Sequence, residues 1–152
     1  MIFDYIISHY EGTMTMRELA EHIISVANEK GKSITNLQLQ KILYFTLRNS
    51  VSRIGKDVAK RTYNEPFIAR RYGPVVKSEY ERFYTYGTRP ILEDFQQSET
   101  YKPLNDLIDR LLDIDVFEMV HASQTHRFWK DNEDRICDGR SDIEYPFEEV
   151  IR

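Results

Sequence analysis

A helix that is apolar on most of its sides is the feature that most constrains this chain, because such a helix has to lie in the middle of a fold. It is predicted within LQLQKILYFTLRNSVSRI, residues 37–54. Thr35 and Gln38 have the spacing of an N-terminal capping box. One face carries Leu39, Ile42, Leu43 and Thr46, and Tyr44, Phe45 and Leu47 widen it. We therefore expect the other elements to pack around this segment.

Capping signals and apolar spacing predict further helices on both sides of the central one. Thr15 and Glu18 repeat the capping spacing ahead of an amphipathic run that ends at Gly31. Pro103 opens a run through residue 112 with leucine and isoleucine at helical spacing. A shorter helix is predicted over residues 115–122.

The fold class predicted from these signals is mostly α, a compact helical domain. The one stretch with an extended character is YNEPFIARRY, so we expect a short β-hairpin near residues 63–72. Near the end of the chain, Pro146 favours a helix that starts at Tyr145 or Pro146.

The pair Gly73-Pro74 predicts a turn that launches a helix. Glycine permits backbone angles closed to other residues, and proline suits the first helical position, where no N–H is needed. The helix that follows has an apolar and aromatic face and a stop at Gly87, the face consisting of Val76, Tyr80, Phe83 and Tyr84.

The size of the chain fits one domain. Its 152 residues are 41% hydrophobic and 30% charged, which is ordinary for a globular protein with a core of its own. No run reaches the ~18 uninterrupted apolar residues of a membrane-spanning helix, and the first residues lack a basic stretch typical of a secretion signal. A cytoplasmic location without membrane association is therefore expected.

Charge is distributed unevenly along the chain, whose net charge is −4. Residues 56–92 carry 8 basic and 4 acidic side chains, whereas residues 93–152 carry 7 basic and 16 acidic ones. A nucleic-acid-binding domain is usually strongly basic, because neutralising phosphates supplies most of its non-specific affinity. Only the middle segment could offer that, so nucleic-acid binding is disfavoured.

Residues for catalysis or metal binding are few. His121, His126 and Cys137 do not have the spacing of zinc ligands, and a single cysteine excludes an internal disulfide. No motif typical of a nucleophile accompanies Cys137. We therefore expect no enzyme activity, no metal and no cofactor. Arg70 and Arg71 beside a predicted helix start could hold an anion, or could simply be exposed.

Aromatic residues are abundant and many lie near arginines. The chain has ten tyrosines, eight phenylalanines and one tryptophan, as in ARRYGPV and SEYERFYTYGTRP. Tyrosine, tryptophan and arginine dominate the energetics of protein interfaces, because they bury large areas and keep a polar group. Core packing accounts for many of these residues, and the surplus favours a binding module over an enzyme.

Three motifs in order resemble the Panacea domain, the SocA/GepA-like antitoxin domain of phage-associated proteins. They are ITNLQLQKILYF at 34–45, EPFIARRYGPVVKSEYERFYTYG at 65–87 and THRFW at 125–129. The resemblance covers about residues 15–150 and makes residues 1–152 a single domain with residues 1–12 as an N-terminal extension. The matching positions are Leu39, Lys41, Leu43, Tyr44, Ala69, Tyr72, Gly73, Pro74, Val75, Thr125, His126 and Trp129.

The resemblance implies a mostly helical module that neutralises a cognate toxin by direct binding, encoded in a bacterial or prophage toxin–antitoxin operon. Because the family pairs with unrelated toxins, its motif residues are expected to be mainly architectural. Partner binding is then expected at positions that vary within the family: Arg70, where the family often has an aromatic residue, Arg71, Tyr84, Tyr86 and a loop at 56–64.

Two alternatives stay open. The same domain could belong to a phage protein that inhibits a host factor by direct binding. It could instead be a nucleic-acid-binding regulator that uses the basic segment 56–92.

Overall fold

The computed structural model describes residues 14–152, and the N-terminal extension predicted at residues 1–12 lies outside them. Its helices are α1 (Met16–Glu29), α2 (Asn36–Arg48), α3 (Val51–Ile54), α4 (Lys56–Thr62), α5 (Lys77–Arg82), α6 (Asn105–Leu112), α7 (Val116–Gln124), α8 (Arg127–Asn132) and α9 (Phe147–Val150). Short 3₁₀ turns cover Tyr84–Tyr86, Glu99–Leu104 and Glu133–Arg135. Strands β1 (Phe67–Arg70) and β2 (Gly73–Val76) form an antiparallel hairpin.

The mostly α fold class is confirmed, and α2 is the central helix as predicted. Thr35 accepts a hydrogen bond from the Gln38 N–H, and the Gln38 side chain accepts one from the Thr35 N–H, so the capping box is complete. Leu39, Ile42 and Leu43 are fully buried. Helices α1, α6 and α7 and strand β2 all pack against α2. Within residues 14–152, no helix combines the length and the apolar character that crossing a membrane requires.

The segment 37–54, within which the central helix was predicted, is not one helix throughout, because α2 ends at Arg48. The Asn49 side chain donates to the Phe45 carbonyl at 2.8 Å, and the Ser50 hydroxyl donates to the Leu47 carbonyl at 2.7 Å. These hydrogen bonds satisfy carbonyl groups in the last turn of the helix. A new short helix, α3, begins at Val51.

The segment expected as a loop at 56–64 is helical over most of its length. Helix α4 spans Lys56–Thr62, with Ala59 and Thr62 buried. The Thr62 hydroxyl hydrogen-bonds the Tyr101 hydroxyl at 2.7 Å. This segment is therefore anchored to the core and is not a free loop.

The hairpin exists but lies a few residues further along the chain than predicted. Gly73 and Pro74 belong to strand β2 and do not launch a helix, because α5 begins only at Lys77. Gly73 has a φ of +95°, which closes the tight turn after Arg70. Pro74 is tolerated because its partner across the hairpin, Ala69, makes no backbone hydrogen bond to it: the Ala69 N–H donates to Ile143 and the Ala69 carbonyl accepts from Ser141.

The outer edge of β1 is covered by the segment 139–145. The Ala69 N–H donates to the Ile143 carbonyl at 2.9 Å, and the Tyr145 N–H donates to the Phe67 carbonyl at 2.8 Å. The Ser141 hydroxyl donates to the Ala69 carbonyl at 2.5 Å. The backbone groups on this edge therefore have partners within the chain.

We predict that Gly73→Ala lowers the free energy of unfolding by about 2–4 kcal/mol, since the positive φ strains a residue with a Cβ and that Cβ would overlap the Ser123 hydroxyl. Gly31→Ala is the matched control, because Gly31 also has a positive φ but nothing lies within 4 Å of its added Cβ. It should lose only about 1 kcal/mol. Urea denaturation measures both, and equal losses would contradict the packing argument.

Candidate functional site

Lys41, a motif residue on α2, is fully buried beneath the hairpin. Its amine donates a hydrogen bond to the Pro74 carbonyl at 2.5 Å. Burial lowers the pKa of this amine to about 7, because a charged ammonium loses its hydration there. Lys41 therefore ties the central helix to the outer edge of β2.

The neighbouring Gln40 completes the attachment of β2. Its side-chain carbonyl accepts a hydrogen bond from the Val76 N–H at 3.0 Å, and its amide donates to the Asn36 side chain at 3.0 Å. The Asn36 amide in turn donates to the Tyr80 carbonyl at 2.9 Å. Sequence analysis did not single out Asn36 or Gln40. The available signal was two amide side chains four residues apart on a helix otherwise expected to be buried.

A third attachment joins α2 to the Thr-His motif. The Tyr44 hydroxyl and the His126 Nδ1 lie 2.7 Å apart. Burial raises the pKa of Tyr44, whereas burial and the positive charge of Arg48 lower the pKa of His126. Both shifts favour the neutral forms, so the two groups share a hydrogen bond between a neutral phenol and a neutral imidazole. Thr125 makes only a local bond to the Ala122 carbonyl and is exposed.

Helices α7 and α8 hold the end of the hairpin through its backbone. The Trp129 indole N–H donates to the Arg70 carbonyl at 2.9 Å, and the Gln124 amide donates to the Arg71 carbonyl at 2.8 Å. Ala69 is fully buried and Val75 nearly so, as expected of architectural positions. Tyr72 differs from them, because its side chain is 49% exposed at the tip of the hairpin.

Above this buried framework lies an open cleft of about 610 Å³, which we call the arginine–tyrosine cleft. It runs between the hairpin tip, helix α5 and the loop after the third 3₁₀ turn. The side chains that define it are Arg70, Arg71, Tyr72, Tyr80, Tyr84 and Arg140. A second concavity of about 630 Å³ shares four of these residues and extends toward Lys77 and Asp142.

Three of the four residues predicted to bind a partner, Arg70, Arg71 and Tyr84, line this cleft. Tyr86 lies apart from them: it is half-buried, and its hydroxyl donates to Glu93 at 3.0 Å. Sequence analysis missed Arg140 as a member. A signal for Arg140 was the Asp-Gly dipeptide before it, which is typical of a tight turn.

Within the described part of the chain, the arginines of the cleft have no acidic partner. Among residues 14–152, no carboxylate lies within ion-pair distance of the Arg70, Arg71 or Arg140 side chain, and the buried Nε of Arg70 has no acceptor. Arg82, by contrast, forms ion pairs with Glu21 at 2.7 Å and Glu79 at 3.1 Å. Arg82 is therefore structural, whereas the cleft arginines are available to bind an anionic group.

Comparisons of the chain with protein-family models, with curated proteins and with solved structures found no match. The chemistry of the cleft and the resemblance of the three motifs are therefore the grounds on which a function can be proposed.

We expect Lys41 to make the stability of the protein depend on pH, and we expect this contribution to vanish in Lys41→Met. Between the lowered pKa of about 7 and the ordinary value of 10.5, the unfolded chain holds a proton on Lys41 that the folded chain does not. Stability should therefore rise with pH in this window, by up to about 1.4 kcal/mol per unit, and be flat with respect to Lys41 below it.

Denaturation between pH 7 and pH 9 measures this slope, because the histidines with lowered pKa values titrate below this range and the buried tyrosines above it. Lys60→Met, at an exposed position of α4, is the matched control and should keep the wild-type slope. An unchanged slope in Lys41→Met would show that the buried amine keeps its proton.

Proposed function

We propose that this protein is an antitoxin of the Panacea type that neutralises a cognate toxin by direct binding. It acts in the cytoplasm as part of a bacterial or prophage toxin–antitoxin system, and the arginine–tyrosine cleft is its binding face. The observation that carries the proposal is the separation of roles in one region: most motif residues are buried in or beneath the hairpin, whereas Arg71, Tyr84 and Arg140 are exposed in the cleft above it.

The composition of the cleft supports protein binding. Tyrosine and arginine combine large contact area with hydrogen-bonding capacity and are enriched among the residues that dominate protein interfaces. Tyr84 is 65% exposed, and its ring packs edge-on against Tyr80 with the ring centroids 5.9 Å apart. The two rings form an aromatic surface on a helix and the turn that follows it, which a partner can cover.

Binding without catalysis is the activity we infer. Two groups beneath the hairpin that could act in catalysis, Lys41 and Ser123, are both fully buried. Each donates its hydrogen bond to a backbone carbonyl, Lys41 to Pro74 and Ser123 to Val120. Their contacts account for them as structural groups.

A phage protein that inhibits a host factor would use the same cleft, and the identity of the neighbouring gene separates the two. A nucleic-acid-binding regulator receives less support, because two of the eight basic side chains of residues 56–92 already have acidic partners. Lys56 pairs with Glu148 at 3.8 Å, and Arg82 pairs with two glutamates.

Substitutions in the cleft are expected to weaken partner binding without unfolding the protein. At least one of Arg70→Ala, Arg71→Ala and Tyr84→Ala should weaken binding by about 2 kcal/mol, roughly 30-fold, with nearly unchanged thermal stability. His126→Ala and Trp129→Ala should lower stability first, because they remove the bonds to Tyr44 and to the hairpin backbone. Arg53→Ala, at an exposed arginine of α3, is the matched control.

The measurements are thermal melts, a pull-down with the product of the neighbouring gene, and growth rescue when both are co-expressed. Rescue that survives all three cleft substitutions, but fails in a fully folded His126 or Trp129 variant, would place the binding face elsewhere. If expression of the neighbouring gene product alone does not slow the growth of the host, that product is not a toxin, and the antitoxin function is contradicted.

A further inference from the structure

Two tight turns hold the cleft arginines side by side. The first is the hairpin tip, where the Arg71 N–H donates to the Gly139 carbonyl at 3.0 Å. The second joins Cys137 to Arg140, which exchange two backbone hydrogen bonds of 2.9 Å. Asp138 and Gly139 between them have φ values of +53° and +80°, as a two-residue hairpin turn with both central φ values positive requires. The backbone beneath the arginines is therefore fixed before any partner arrives.

The two turns also touch each other. A Cβ added at Gly139 would lie 3.3 Å from the Arg71 Cβ, so the backbone of the second turn packs on the arginine of the first. A preorganised site loses less conformational entropy on binding than a flexible one. The backbone positions of Arg70, Arg71 and Arg140 are thus fixed relative to one another.

Among residues 14–152, no carboxylate forms an ion pair with an arginine of this set. Arginine binds carboxylates through paired hydrogen bonds better than it binds neutral acceptors. An acidic group of a partner would supply the missing charge.

The cleft is not suited to a long polyanion. Asp138 lines it, and Glu81 and Asp142 border the adjoining concavity. These carboxylates would repel the continuous charge of a nucleic-acid backbone. Tyr72, Tyr80 and Tyr84 meanwhile offer apolar surface between the charges. A partner segment in which isolated carboxylates alternate with apolar side chains would match this pattern of arginines and tyrosines.

We propose that the cleft binds an acidic segment of the partner protein, with carboxylates on Arg70, Arg71 and Arg140 and an aromatic or aliphatic side chain against the tyrosines. This inference rests on the proposed function, because it names the chemistry by which the toxin is recognised.

Fluorescence anisotropy with the full chain tests the inference. The probe is a labelled, capped peptide in which glutamate and tyrosine alternate, compared with a peptide of alternating glutamine and tyrosine. The acidic peptide should bind at least about tenfold more tightly, and raising the salt concentration should weaken it. Arg70→Ala and Arg140→Ala should each weaken it about tenfold, and Arg70→Lys less. The control Arg53→Ala should bind as the wild type does.

Equal binding of the acidic and glutamine peptides, or the same loss in Arg53→Ala as in Arg70→Ala, would overturn the inference. So would a thymidine oligonucleotide that binds through the same arginines more tightly than the acidic peptide, since it would assign the cleft to nucleic acid. Growth rescue, with this chain and the neighbouring gene product expressed together, is scored separately. Rescue that depends on the cleft without preference for the acidic peptide overturns the inference alone, whereas peptide binding without rescue overturns the antitoxin function alone.

Discussion

The hydrogen bond from the buried Lys41 amine to the Pro74 carbonyl joins the central helix to the hairpin on which the cleft stands. A carbonyl left buried without a donor would be unfavourable, and so would an amine without an acceptor. Gln40, the preceding residue, satisfies the Val76 N–H of the same strand. Two consecutive side chains of α2 thus take the place that a third strand would occupy in a larger sheet.

With segment 139–145 on its other edge, the two-stranded hairpin is held on both sides. A hairpin of two strands alone is marginally stable in water, so these attachments explain how it persists in a mostly helical protein. They also fix the positions of Arg70 and Arg71, whose carbonyls accept hydrogen bonds from Trp129 and Gln124. The precision of the exposed surface depends on buried polar groups beneath it.

Local signals predicted some of the elements but not their assembly. The capping box at Thr35 and the apolar spacing of α2 are properties of a short segment, and both predictions are confirmed. The hairpin was predicted a few residues before its actual position in the chain. Pro74 argues against a strand on local grounds, and only its tertiary neighbours show that a strand can include it. The cleft itself combines residues near 70, 84 and 140, and only the long-range packing shows that Arg140 belongs with them while Tyr86 does not.

Because both edges of the hairpin are occupied, the proposed partner could not add a strand to it and would be recognised through side chains. Recognition by side chains can be changed one substitution at a time without disturbing any backbone hydrogen bond. The exposed positions of the cleft can therefore vary while the buried polar groups stay constant. A module built in this way can exchange one partner for another over evolution and keep its fold.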